Sequence, residues 1–198
     1  MSNKQESAFA LFDAYNKKDP NRIEWEGQSY PEAYFLAIKL HHWVKKLAPG
    51  ASEALLLASR CQHIGRWEIS RDGYPQDREG YLRWRKQLAL FHAEKAKEIL
   101  IEVGYSTELI NEVQEIILKK KIKVNADVQT MENALCLVFL AYQYEAFYPR
   151  HRDKIVNILR KSLLKMDEDG HRFALTLSYS PEGLAYVKEA LTLIGRPL

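Results

Sequence analysis

ALCLVFLAY, residues 134–142, is apolar on every side of a helix rather than along one stripe. A helix with that pattern has no face for water and belongs at the centre of a protein. Bilayer crossing takes about 20 apolar residues, so this run, the longest in the chain, is too short to span a membrane. Its helix is expected to begin at Asp127 or Gln129 and to reach Phe147, with Pro149 as the stop. A buried central helix needs other helices around it. Elsewhere apolar residues recur at three and four, and no stretch shows the clear alternation of a half-buried strand. The reading is therefore an all-α bundle.

Working outward, the periodicity predicts helices over 107–119, 81–103, 52–63, 31–47 and 6–17 on one side. On the other side it predicts 153–166, a short helix over 171–177, and 181–194, so about seven to nine in all. Pro31 sits at a first helical position, where its missing N–H has no helical partner anyway. Gly104 is placed to end the helix over 81–103. With 198 residues and no linker or repeat, a single domain over residues 1–198 is expected. At 46% hydrophobic and 28% charged, with nine glycines and seven prolines, the chain is neither low-complexity nor fibrous. Cys61 and Cys136 form no CxxC or zinc knuckle, which points to a reducing compartment and core roles for both. No apolar signal core or Arg-rich presequence opens the chain, so a cytoplasmic location and no membrane association are expected.

The residues between 65 and 80, GRWEISRDGYPQDREG, break the helical pattern with three glycines and a proline. A loop of that length without structure of its own is usually functional. Charge concentrates here. The whole chain carries +3, and the window Arg60–Lys86 alone holds seven cations against four acids. Six of the seven are arginines: Arg60, Arg66, Arg71, Arg78, Arg83 and Arg85. A guanidinium is a rigid fork that grips phosphate or carboxylate at two points. A sequence-independent nucleic-acid binder would carry a broader basic excess, so a small anionic molecule is favoured over nucleic acid.

Three polar residues are expected to face inward near this loop. His63 ends the apolar helix before it. His92 follows Leu88 and precedes Ala96 and Ile99 on one helical face. Glu132 opens the most buried helix. Read singly, each histidine is a hydrogen-bonded core residue and Glu132 a helix-start carboxylate favoured by the dipole. Read together, two imidazoles and a carboxylate are a common set for one divalent transition metal. The neighbours His41 and His42 point about 100° apart and do not suit one ion. His151 and His171 read as capping or solvated. No GxSxG, GxGxxG or GxxxxGK occurs, so serine-hydrolase and phosphate-loop chemistry find no support.

RCQHIGRWEISRDGYPQDREGYLRWRKQLALFHAEKA (60–96), QTMENALCLVFL (129–140) and ILRKSLLKMDEDGH (158–171) resemble the family called domain of unknown function 4202. The likeness runs from FALFDAYNKKDP (9–20) to the last helix and rests on QHIxRWxIPRxxYPxxRxGYLxWRxxLxxFHA. Ser70 stands where the family usually has proline, and Asn133 where it usually has aspartate. The pattern also resembles a degenerate HD domain, a helical metal-dependent phosphohydrolase scaffold. The HDIG of that superfamily aligns with Gln62-His63-Ile64-Gly65. The superfamily's early histidine falls near Tyr34, another near Lys119 or Lys120, and its late aspartate at Glu132 or Asn133. His92 matches the extra histidine of two-metal members. With most ligand positions substituted, the resemblance implies at most one ion, on His63, His92 and Glu132.

Three functions follow as expectations. The first is an HD-like hydrolase acting on a small phosphorylated compound, nucleotides included. Arg66, Arg71, Arg78 and Arg85 would hold the phosphate, with Arg60 and Gln62 beside them. Trp67, Tyr74 and Trp84 would stack on a base, and His63 or His92 would act as ligand or general base. The second is a non-catalytic module for an anionic ligand, RNA or an acidic partner. The third is structural: the arginines pair with Asp72, Asp77, Glu79, Asp127 and Glu132 in a buried network.

Overall fold

The computed structural model describes residues 3–196. In chain order these form α1 (Asn3–Asn16), β1 (Arg22–Trp25), β2 (Gln28–Pro31), α2 (Glu32–Leu47), α3 (Glu53–Cys61), α4 (Arg78–Val103) and α5 (Thr107–Ile117). There follow α6 (Ala126–Tyr142), α7 (Tyr144–Phe147), α8 (Ile155–Leu163), α9 (Glu168–Ala174) and α10 (Pro181–Thr192). Three 3-10 turns, Arg66–Glu68, Arg71–Gly73 and Tyr148–Arg150, lie between them.

α6 is the hub that its sequence demands. The Asn125 side chain accepts from the N–H groups of Asp127 and Val128 and starts the helix. Val128, Met131, Ala134 and Leu137 are fully buried on it. Enclosing a side chain of the Leu or Met type contributes about 1.5–3 kcal/mol. α2, α3, α5 and α9 pack around α6. The hydrophobic core draws on every helix from α1 to α10.

Three local features differ from the periodicity. The segment before Pro31 is a hairpin, with Trp25 opposite Gln28 and Ile23 opposite Tyr30. Glu26 and Gly27 turn it, both at positive φ (50° and 77°), as a two-residue primed turn requires. The helix expected to run to Phe147 breaks at Gln143 (φ −126°, ψ −27°), where the chain leaves helical geometry and α7 begins. That break supplies a tenth α-helix. It also turns Tyr144 inward, where its hydroxyl donates to the Gly183 carbonyl at 2.9 Å. Finally, α5 stops at Ile117. The connector to α6 holds Lys119, Lys121 and Lys123 at φ 55°, 59° and 68°, a left-handed conformation that costs a residue with a Cβ.

The arginine-bearing loop is shaped rather than slack. Two of the 3-10 turns lie in it, and α4 begins at Arg78, three residues before the expected Tyr81. The Asp77 carboxylate caps that start by accepting from the Gly80 N–H at 2.7 Å. A Cβ on Gly80 would lie 2.1 Å from the Pro75 carbonyl oxygen, so only glycine fits the turn. Gly65, at φ 67°, would put a Cβ 2.7 Å from the Phe91 ring.

Candidate functional site

A cleft of about 700 Å³ opens where this loop and the start of α4 face α2, α6, α7 and α8. His63, Arg66, Trp67, Arg71, Trp84 and Arg85 line one wall, and Lys119 from the left-handed connector joins them. Local bonds hold the wall in place. The Trp84 indole N–H donates to the Ile69 carbonyl at 2.9 Å. Arg71 donates to the carbonyls of Tyr74 (3.0 Å) and Asp77 (3.3 Å). The Tyr15 hydroxyl, from α1, donates to the Glu68 carboxylate at 2.5 Å.

These bonds also account for the nearby acids. Glu68 receives Tyr15, Asp72 receives the Ser70 hydroxyl, and Asp77 caps α4. Glu79 alone reaches an arginine, Arg83, at 3.8 Å on the exposed face of α4. Asp127 accepts from the Ser52 hydroxyl. Among the described residues, Arg66, Arg71, Arg78 and Arg85 make no ion pair, so the structural network expected of them does not form. Arg66 lies over the Trp84 ring at 5.2 Å. Its pKa is lowered by burial and then by the Arg85 charge, against Glu32 and Tyr81.

His63 and His92 stand side by side, ring centroids 5.7 Å apart. The His92 Nδ1 meets the Ile64 carbonyl at 2.7 Å, so that nitrogen carries the proton and Nε2 is a lone pair. That Nε2 is buried without a partner among the described residues. Burial lowers the His92 pKa to about 4, with Arg66 and Arg85 adding to the effect against the Ile64 carbonyl. His63 is held well below the usual imidazole range by burial, then by Arg66, His92, Lys119 and Arg85. Both are neutral at pH 7.

Glu132 does not join them. It is 2% exposed, and its carboxylate pairs with Lys119 at 2.6 Å and Lys165 at 3.5 Å. Burial pushes its pKa up, but the two ammonium groups outweigh it and hold it below the usual range. Among the described residues no three His, Cys, Asp or Glu side chains cluster as metal ligands. The set His63, His92 and Glu132 therefore does not fit a three-ligand ion site.

Four further expectations are relocated. Arg60 faces α1, paired with Asp13 and lying over Phe9. Gln62 is buried and donates to the Ile117 carbonyl at 3.1 Å. Tyr74 contributes its carbonyl to the loop, and Arg78 is exposed in the first turn of α4. Neither lines the cleft. Trp67 and Trp84 do line it, but each already has a neighbour on its ring: Tyr15 at 5.9 Å and Arg66 at 5.2 Å.

Several lining residues carried no sequence signal. Glu32 reads as an ordinary acid in a first helical turn. In the cleft, burial and then Asp19 raise its pKa, against Arg66 and Gln143. Asp19 accepts from the backbone N–H groups of Asn21 and Ala33, both at 2.9 Å, and so fixes the start of α2. Lys119, near which the HD likeness sets a histidine, lies in a KKK run. Cys136 lines the floor, its thiol pushed up to about 12 by burial and so unreactive.

No described helix is long and apolar enough to cross a membrane. No curated protein and no solved structure matches the chain. The model of one family, described as "Domain of unknown function (DUF4202)", matches residues 6–187. That match spans most of the 198 residues, so the chain belongs to the DUF4202 family.

Proposed function

We propose that the cleft binds a small phosphorylated molecule and hydrolyses its phosphate ester, with His63 as general base. The observation that carries this reading is a set of arginines without ion pairs on one cleft. Arg66, Arg71 and Arg85 line it together and make no ion pair among the described residues, while Glu32, also in the cleft, offsets part of the charge on Arg66 and Lys119 is already paired with Glu132. Arg66 and Arg85 are exposed and Arg71 is half-buried, so water solvates their guanidinium groups until an anion takes two-point bonds from them.

His63 lines the same space, and its imidazole has no protein hydrogen-bond partner among the described residues. It is neutral at pH 7, so its lone pair is available, though the surrounding cations make it a weak base. A phosphate dianion would neutralise those cations and return basicity to the imidazole at the moment of binding. His63 then takes a proton from water. The water oxygen bonds to phosphorus, the ester P–O bond breaks, and the proton passes to the departing alkoxide. Alcohol and inorganic phosphate are the products. The sequence likeness to HD phosphohydrolases supports the reaction class. No step is routed through a metal ion, because Glu132 is occupied by two lysines.

Binding without turnover is the second reading, and the Lys119–Glu132–Lys165 pairing favours it, since it removes the carboxylate that a metal-assisted reaction would need. One experiment addresses both. Wild type and Arg66→Ala are titrated with inorganic phosphate and phenyl phosphate, and phosphate release from the ester is followed. Arg66→Ala is expected to lose binding at least tenfold while its melting temperature stays within about 2 °C. Binding without phosphate release selects the second reading. Unchanged binding in Arg66→Ala would remove the cleft from consideration.

A further inference from the structure

The cleft has two chemically different walls. Facing the cationic wall are Leu36, Leu40, Val138, Phe139, Phe147 and Ile158, from α2, α6, α7 and α8. Leu40 and Val138 are buried beneath, while Leu36, Phe139, Phe147 and Ile158 still keep accessible surface. Polar groups also reach this wall: Glu32, which is hydrogen-bonded to Gln143, and Ser162. The Cys136 thiol points to the Ser162 carbonyl at 3.7 Å, and Asp19 is occupied by Asn21 and Ala33. A sugar ring laid along this wall would lose water from its hydroxyls and gain few partners.

The volume makes the same point. About 700 Å³ is in the range that encloses a drug-sized organic molecule and far exceeds inorganic phosphate. Nor does the body of the ligand belong between the tryptophans, because Tyr15 and Arg66 already lie against those rings. The open apolar surface lies on the α6 side.

Resting on the anion-binding reading above, we propose that the ligand is a phosphate monoester with an apolar body. Its phosphate sits against Arg66, Arg85 and Lys119, and an aryl or short alkyl group lies along Leu36, Phe139 and Ile158. Specificity then comes from the hydrocarbon, and affinity for the head comes from charge.

The test is a calorimetric series with one head and a growing body: inorganic phosphate, then methyl, propyl and hexyl phosphate, with glucose 6-phosphate and hexanol as controls. Kd is expected to fall roughly three- to fourfold per added methylene, the usual gain from burying hydrocarbon. Glucose 6-phosphate is expected to bind no better than methyl phosphate, and hexanol far more weakly than hexyl phosphate. Arg66→Ala is expected to weaken every phosphate equally. Leu36→Asn and Ile158→Asn, each checked for folding by circular dichroism, are expected to flatten the chain-length dependence and leave methyl phosphate unchanged. The wild-type series decides the matter even if neither variant folds. Equal binding of methyl, hexyl and glucose phosphates would overturn the apolar body while leaving the anion site intact. No binding by any phosphate, or hexanol binding as tightly as hexyl phosphate, would overturn the anion reading itself.

Discussion

His92 and His41 are both pushed down to about 4, by burial first in each case. In the unfolded chain each returns to the ordinary value of 6.5. Between those values the unfolded state binds protons that the folded state refuses, so stability falls as pH drops from about 6.5 toward 4. The slope approaches 1.4 kcal/mol per pH unit for each histidine in mid-window. Urea unfolding at pH 7, 6 and 5 checks this, and His92→Gln is expected to flatten part of the slope. A slope that persists unchanged in that variant would contradict the assignment. Glu132 adds a separate loss at lower pH, as its depressed carboxylate is finally protonated.

On the proposed reading, a phosphate dianion beside Arg66 and Arg85 would raise the His63 imidazole toward its usual range. Near pH 6 the phosphate, with a second pKa of about 6, gives up a proton on binding and His63 takes one up. Calorimetry in two buffers of different ionisation heat reads the balance, and His63→Gln is expected to shift it toward net release. Glu32 carries the opposite sign. Its pKa is raised in the fold, so its charge costs stability at pH 7. Glu32→Gln is expected to raise the melting temperature by on the order of 1–3 °C at pH 7 and by little at pH 4. At this scale the arginines were readable, because six of them in 27 positions is a local compositional signal. Glu132 was not. Nothing in its spacing says that Lys119 and Lys165, 13 positions before it and 33 after, would reach it first.

Among the elements, the loop from Gly65 to Gly80 depends most on single backbone positions. Gly80→Ala drives a methyl group into the Pro75 carbonyl. It is expected to cost on the order of 2–4 kcal/mol and to weaken ligand binding, because the start of α4 carries Trp84 and Arg85. Lys123 lies at φ 68° and is exposed. Lys123→Gly is therefore expected to stabilise by about 0.5–1 kcal/mol in chemical denaturation. The helices themselves were legible, since their periodicity and caps agree: Ser52, Asn125 and Ser180 each accept a backbone N–H at a helix start. The hairpin was not, although Ile23 and Trp25 alternate with exposed neighbours. Four-residue strands carry too short a pattern to stand out beside helices of 14 and 16 residues. The break at Gln143 was equally silent, because no Pro or Gly marks it. Tertiary contacts of Tyr144 with Gly183 accompany it instead.

Across the whole molecule, the sequence window that holds the +3 excess divides: Arg66, Arg71 and Arg85 line one cleft, while Arg60 faces α1 and Arg78 lies outside it. Composition located that charge. It could not show which wall the charge faces, because the apolar wall comes from α2, α6, α7 and α8, up to 90 or so positions away in the chain. An anion drawn to the arginines meets hydrocarbon on its other side, and the fold's central helix supplies part of it. The most direct measurement is the crystal structure of the protein soaked with hexyl phosphate. Phosphorus is expected within hydrogen-bonding reach of Arg66 or Arg85, with the alkyl chain against Phe139 and Ile158. Phosphate found only on surface lysines, with the cleft empty in a protein that binds the ester in solution, would contradict the account.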